Sequence, residues 1–316
     1  MTWRAWRLTF RMQGLVLWLL GGAVVVLTVG SVLVAWQTHE TRAAFDVCLA
    51  GVAPGSNACQ SISAPLNDLS LWGGTAKLAA QWMPLILGLF LGVPVVAREI
   101  EGRTAAMAWA LDPGRGRWLL QRTLPVLAVV LVAGILIGIG GELVTLAPPF
   151  QEHPLGAGFS DYGSRLGQVP VRAIAVLVLG IAIGTLVPRQ LPALLLTGGA
   201  TLGLFMALTL GMGAWMKAEA EPIPIDHGYE AGAHLYEQVF QDDATGALIS
   251  TAEFDQQQVP TDNPEASAPP GMTRVWLGVP GEKYGLWVLR ESGILLGLTV
   301  LVGAATLVLV RRRRPA

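Results

Sequence analysis

Between Ala97 and Arg122 the chain carries its densest run of arginines, in the stretch AREIEGRTAAMAWALDPGRGRWLLQR. Arg98, Glu99, Glu101 and Arg103 place both signs of charge within six residues, a pattern suited to docking against a partner rather than to bond-making chemistry. On a helix, Ile100, Thr104, Met107 and Leu111 fall within about 60° of arc, so a narrow apolar stripe runs beside those charges. Asp112-Pro113-Gly114 ends that helix. Arg115, Arg117 and Arg122 with Trp118 then form a second basic group suited to lipid headgroups.

Other residues able to do chemistry are sparse. A His-Glu-x-x-His pair is absent, and His39, His153, His227 and His234 lack ligand spacing, so they read as solvated loop residues. The three lysines, Lys77, Lys217 and Lys283, belong to no Gly-x-x-x-x-Gly-Lys-Ser/Thr loop, so ATP cannot bind by that route. Glu142 and Glu291 are the acids nearest the apolar segments. They read as interfacial residues or members of local ion pairs, Glu291 beside Arg290, with substrate contact as the alternative. Cys48 and Cys59 lie in a polar stretch; in an oxidising compartment a disulfide between them would gain about 3 kcal/mol from closing so short a loop, and two unlinked thiols are the alternative. Nothing here forms a catalytic constellation, so the chain reads as a non-enzyme with no metal and no cofactor of its own.

The elements that position these residues follow from composition. Of 316 residues 53% are hydrophobic and 14% charged, with a mean hydropathy of +0.53, and the apolar residues come in long blocks. That pattern predicts an all-α polytopic membrane protein. A bilayer core about 30 Å thick takes roughly 20 residues of helix. Six segments qualify, at 14–35, 78–97, 123–147, 169–187, 191–215 and 286–310, none with an ionisable residue in its middle third. The first is too long for the apolar core of a signal peptide and reads as a retained span. The fourth and fifth are separated only by Pro188-Arg-Gln-Leu-Pro192, a tight helical hairpin. Residues 1–13 place Trp3, Trp6 and Phe10 on one helical arc and Arg4, Arg7 and Arg11 on the next, which predicts an interfacial helix. The loop at 216–285 is acidic and proline-rich, and its YEQVFQDDATGALISTAEF suggests two short strands in a small extracytoplasmic cap.

Charge sets the orientation. With cytoplasmic termini, the inner segments (1–13, 98–122, the 188–192 turn and 311–316) hold 13 of the 21 basic residues and only Glu99, Glu101 and Asp112 of the acids. The remaining 8 basic and 19 acidic residues fall on the outer side, in the loops 36–77, 148–168 and 216–285 and at the outer ends of the spans. The net charge of −1 therefore conceals about +10 inside and −11 outside, as the positive-inside rule requires. No basic groove interleaved with aromatics exists for nucleic acid.

With this layout, GLFLGVPVVAREIEGRTAAMAWALDPGRGRWLLQR resembles the segment between the second and third spans of type-2 ATP-binding-cassette (ABC) exporter permeases, the half-size bacterial kind with a separate ATPase chain. Those carry an Arg-Glu-x-Glu-x-Gly-Thr-like element, matched by Arg98, Glu99 and Glu101, with Gly102-Arg103-Thr104 in place of the commoner Gly-Thr. An aromatic-containing helix and a basic-x-basic-Trp turn follow, matched by Trp109 and by Arg115, Arg117 and Trp118. The resemblance implies that residues 98–111 couple to two cytosolic ATPase subunits, which hold the ATP and Mg²⁺. It also implies a second permease, the same chain or a paralogue, in a bacterial cell membrane.

Five Gly-x-x-x-Gly pairs, Gly88/Gly92, Gly134/Gly138, Gly180/Gly184, Gly199/Gly203 and Gly293/Gly297, allow close helix approach; most would pack within the chain and one or two would line the seam between permeases. The expected function is ATP-driven export of a hydrophobic or amphipathic cargo such as a drug, lipid or peptide. A non-transporting membrane sensor or scaffold, with a ligand on the outer loop and a cytosolic partner on the inner helix, is the alternative.

Overall fold

The computed structural model describes residues 14–51, 59–102, 104, 114–147, 158–187, 189–225, 232–250 and 271–312. The N-terminal interfacial helix predicted for 1–13 lies outside them, as do most of 103–113 and the tail from 313. Among the described residues six helices are long and apolar enough to cross a membrane. They are α1 (Gly14–Ala50), α2 (Gln60–Glu101), α3 (Arg115–Leu146), α4 (Val169–Leu186), α5 (Gln190–Ala218) and α6 (Tyr284–Arg312). Helix is the natural outcome for these Leu/Val/Ala/Gly blocks, because in hydrocarbon every backbone N–H and C=O must find its partner within the segment. Several hydroxyls inside the spans meet the same demand by bonding back one turn, as in Ser31 to Leu27, Thr145 to Gly141, Thr197 to Ala193 and Thr306 to Val302.

Helix lengths depart from the apolar runs that predict them. At 1.5 Å per residue the 18 residues of α4 span about 27 Å, close to the bilayer core. The 37 residues of α1 and the 42 of α2 reach about 55 and 63 Å, well beyond it. The polar residues 36–50 and 60–77, expected as loop, are helical. A disulfide joins Cys48 to Cys59, with Cα atoms 6.0 Å apart.

The chain forms two compact units, the first comprising Met1–Pro148, Asp161–Ala207 and Val288–Ala316, the second Pro149–Ser160 and Leu208–Trp287. In the first unit Leu87, Leu91 and Val96 of α2, Val126, Val130 and Ile137 of α3, and Val169, Ala173 and Leu177 of α4 form a core with almost no exposure. Helices α2 and α4 run in the same direction and make the tightest contact. A Cβ built on Gly88 would lie 2.5 Å from Val176 Cβ, and one on Gly92 would lie 2.6 Å from the Leu177 carbonyl oxygen. Reciprocally, Gly180 faces the Gly88 carbonyl at 3.2 Å and Gly184 the Val93 carbonyl at 3.0 Å. Two Gly-x-x-x-Gly ridges thus interlock backbone to backbone. Gly134 and Gly138 of α3 meet Pro170 and Leu166, both at 2.8 Å, so α3 and α4 run antiparallel. Nothing lies within 4 Å of a Cβ at Gly199, Gly203, Gly293 or Gly297.

The second unit contains a four-stranded antiparallel sheet in the order β1-β4-β2-β3: β1 (Glu221–Pro224), β2 (His234–Asp242), β3 (Leu248–Ser250) and β4 (Met272–Val279). The β2–β3 hairpin pairs Val239 with Ser250 and Gln241 with Leu248. Its turn is set by the Asp242 carboxylate, which accepts the N–H groups of Ala244 (2.8 Å) and Thr245 (3.0 Å), and by Gly246 at φ +71°. Those backbone donors hold the Asp242 carboxyl below its ordinary pKa. Strands β1 and β4 were not foreseen. The sequence EPIP reads as a breaker, yet an edge strand tolerates proline because its outward N–H positions need no partner. Ile223, Val239, Phe240, Val275 and Val279 are buried within this unit, beside an aromatic group of Phe159, His234, Tyr236 and Tyr284.

Candidate functional site

At the end of the first unit remote from the disulfide, the last turn of α2 is tied to two other helices. Its terminus is closed by the Gly102 N–H donating to Arg98 O at 3.0 Å and by the Thr104 hydroxyl donating to Glu99 O at 3.2 Å. The Glu99 side chain is only 6% exposed and pairs with Arg122 of α3 at 2.8 Å. The carboxylate is removed from water and depends on its partner: left there alone it would face a desolvation penalty of several kcal/mol. Glu101 points elsewhere. Its Oε2 accepts the backbone N–H of Gln190 at 3.1 Å, so a carboxylate from α2 caps the first turn of α5. That turn carries unpaired N–H groups and the positive end of the helix dipole, which makes an acid there favourable. Near the start of α3, Gly116 leaves room for Arg311 of α6; a Cβ would lie 2.8 Å from its Nε. Ile100, partly buried, packs on the core cluster that includes Trp118 and Val310.

Of the residues singled out from sequence, the structure gathers Arg98, Glu99, Ile100, Glu101 and Thr104 at this junction. Arg103, Met107, Trp109 and Leu111 lie outside the described residues, so the apolar stripe is described only at Ile100 and Thr104. Sequence reasoning missed three participants. Arg122 was assigned to headgroups but neutralises Glu99, and neither Gln190 nor Arg311 was seen as a contact of α2 or α3. Spacing along one chain carries no signal for such pairings between helices.

The opposite end of the same unit holds a second group of charges. Arg165 donates to Glu142 through Nε at 3.0 Å and also through Nη2. Arg172, inside α4, donates to Glu291 of α6 from Nε (2.9 Å) and Nη2 (2.7 Å), and from Nη1 to the Gly163 carbonyl at 3.3 Å. Its guanidinium also lies 5.7 Å from the Phe205 ring. Glu291 is therefore paired across the bundle with Arg172. Lys77 pairs with Asp161. The missed signal was Arg172 itself, an arginine three residues into an apolar run, which in a membrane helix calls for a partner.

A family profile described as "ABC-2 membrane transporter related" matches residues 21–217, more than half of the chain. The chain belongs to that family. No curated protein and no solved structure matches it. The ABC-2 match runs from α1 through α5 and stops at Lys217, ahead of the sheet and α6. Together with the six apolar helices it makes the chain a multi-pass membrane permease component of an ABC transporter, a family that works with an ABC ATPase partner. Permeases of this family are generally non-catalytic.

Proposed function

We propose that this ABC-2 permease is the membrane half of an ATP-driven exporter whose ATPase sits on a separate chain and docks on residues 98–111. The observation that supports this most is the divergence of Glu99 and Glu101: one carboxylate is tied to α3 and the other caps α5. A push delivered to the segment after Glu101 therefore reaches two further helices through single side chains. The charge asymmetry favours cytoplasmic termini, with this junction on the ATPase side. ATP and Mg²⁺ would be held by two partner ATPases, and a second permease, the same chain or a paralogue, would complete the transport path. Spans this apolar suit a hydrophobic or amphipathic cargo.

Affinity purification of the tagged chain from detergent-solubilised membranes tests the reading, with ATPase activity measured on each eluate. Wild type should bring down a cytosolic ATPase, and the Glu101→Ala, Met107→Asp double variant should lose it. Absence of an ATPase from both eluates overturns the exporter reading and leaves the sensor or scaffold.

A further inference from the structure

The cavity beside Lys77 belongs to no part of the coupling junction. It has a volume of about 340 Å³ and is lined by Gly74, Lys77, Gln81, Asp161, Tyr162 and Ser164, from α2 and from the segment leading into α4. Its charges are one ammonium and one carboxylate, joined as the Lys77–Asp161 pair, with the Thr145 hydroxyl 3.5 Å from the same carboxylate oxygen. The backbone holds Asp161 in place unusually firmly. Its φ of +53° is the only positive value at a non-glycine among the described residues, and its carbonyl accepts both the N–H and the hydroxyl of Ser164 at 3.0 Å. Behind the wall Gly163 leaves space only for Arg172 and Gln81, at 2.9 and 3.5 Å from where a Cβ would stand. Burial, and after it the negative charge of Glu291, raises the Tyr162 pKa.

Depth and charge limit what fits. Lys77 lies 21 residues before Arg98 on the one continuous helix α2, about 32 Å along its axis, so the two basic residues sit one bilayer core apart. That puts the cavity at the level of lipid headgroups. A ligand of net charge would leave either Lys77 or Asp161 uncompensated in a partly desolvated site, whereas an internal salt can replace each partner in turn. The volume is near the lower end of the range for small-ligand sites, enough for a headgroup and not for a whole lipid.

We propose that this cavity binds the ammonium–phosphate headgroup of a zwitterionic phospholipid, with Asp161 receiving the ammonium and Lys77 the phosphate. The site is independent of any ATPase partner, so its test and the co-purification test fail separately. The chain is reconstituted in nanodiscs of equal phosphatidylethanolamine and phosphatidylglycerol, released gently, and its retained lipid identified by native mass spectrometry. Phosphatidylethanolamine should be retained in about tenfold preference over phosphatidylglycerol. Lys77→Gln with Asp161→Asn should abolish that preference. Gly74→Phe is the second variant: its Cβ meets nothing within 4 Å, so it fills the cavity while leaving the ion pair in place, and it should abolish the preference too. Equal retention of both lipids by wild type, or an unchanged preference in the Gly74→Phe chain, overturns the proposal. Free phosphoethanolamine is the remaining arm. Binding of the soluble headgroup as tight as that of the lipid would make the ligand a soluble zwitterion and overturn the lipid assignment; binding of the lipid alone supports it.

Discussion

At the scale of single residues, a missing methyl decides the packing. Gly88→Ala and Gly92→Ala each drive a Cβ to within 2.6 Å of α4, and in Gly92→Ala the obstacle is a backbone carbonyl that cannot rotate away. Each should lower stability by about 1–3 kcal/mol. Gly199→Ala and Gly203→Ala meet nothing and should stay within about 0.5 kcal/mol of wild type. Thermal unfolding of the detergent-solubilised variants by intrinsic fluorescence checks the contrast. The Glu99–Arg122 pair gives a second test. Glu99→Ala strands Arg122, whose side chain is 22% exposed and so escapes part of the penalty; the loss should be about 2 kcal/mol, and adding Arg122→Met should recover most of it. Equal losses in the single and double variants would show that the stranded arginine is not the source of the loss.

At the scale of elements, what sequence reveals depends on the solvent around each segment. The spans were legible because hydrocarbon imposes a length and penalises charge, and six apolar blocks have that length with no ionisable residue in the middle third. Family membership was legible in the run from Arg98 to Trp118, because that short segment carries dense and ordered charge. Helix beyond the membrane was not legible. Residues 36–50 and 60–77 contain Thr, Glu, Asp, Asn and Pro in loop-like proportion and become helical by continuing α1 and α2. Equal-looking Gly-x-x-x-Gly pairs were likewise indistinguishable, since only a neighbouring helix reveals which of them are in contact.

In the sheet unit, His234 yields a pH prediction. Burial against Tyr236 (ring centroids 4.9 Å apart) and Phe159 (6.0 Å) lowers its pKa from 6.5. The folded state thus resists protonation that the unfolded chain accepts. Stability from this residue is fully present above pH 6.5 and falls as the pH drops below it. Hydrogen exchange in β2 and β4, corrected for intrinsic rates, should speed up between pH 7.5 and 5.5 in wild type and change less in His234→Gln.

At the scale of the whole molecule, the Cys48–Cys59 bond closes a loop of 11 residues between α1 and α2 and should contribute about 3 kcal/mol. Maleimide should find no thiol in the native protein until a reductant is added, and Cys48→Ser with Cys59→Ser should unfold at lower temperature. Spin labels at Asn67 on α2 and Leu166 ahead of α4 would read any displacement of the long helix between nucleotide states of the complex. The geometry of α2 sets how large such a displacement is. Its contact with α4 at Gly88 and Gly92, bracketed by Pro84 and Pro94, is far from its midpoint. From that fulcrum the arm to Glu101 is about 16 Å and the arm to Gln60 about 45 Å. A tilt that shifts Glu101 by a given distance sweeps the opposite tip roughly three times as far, and the disulfide makes the end of α1 travel with it.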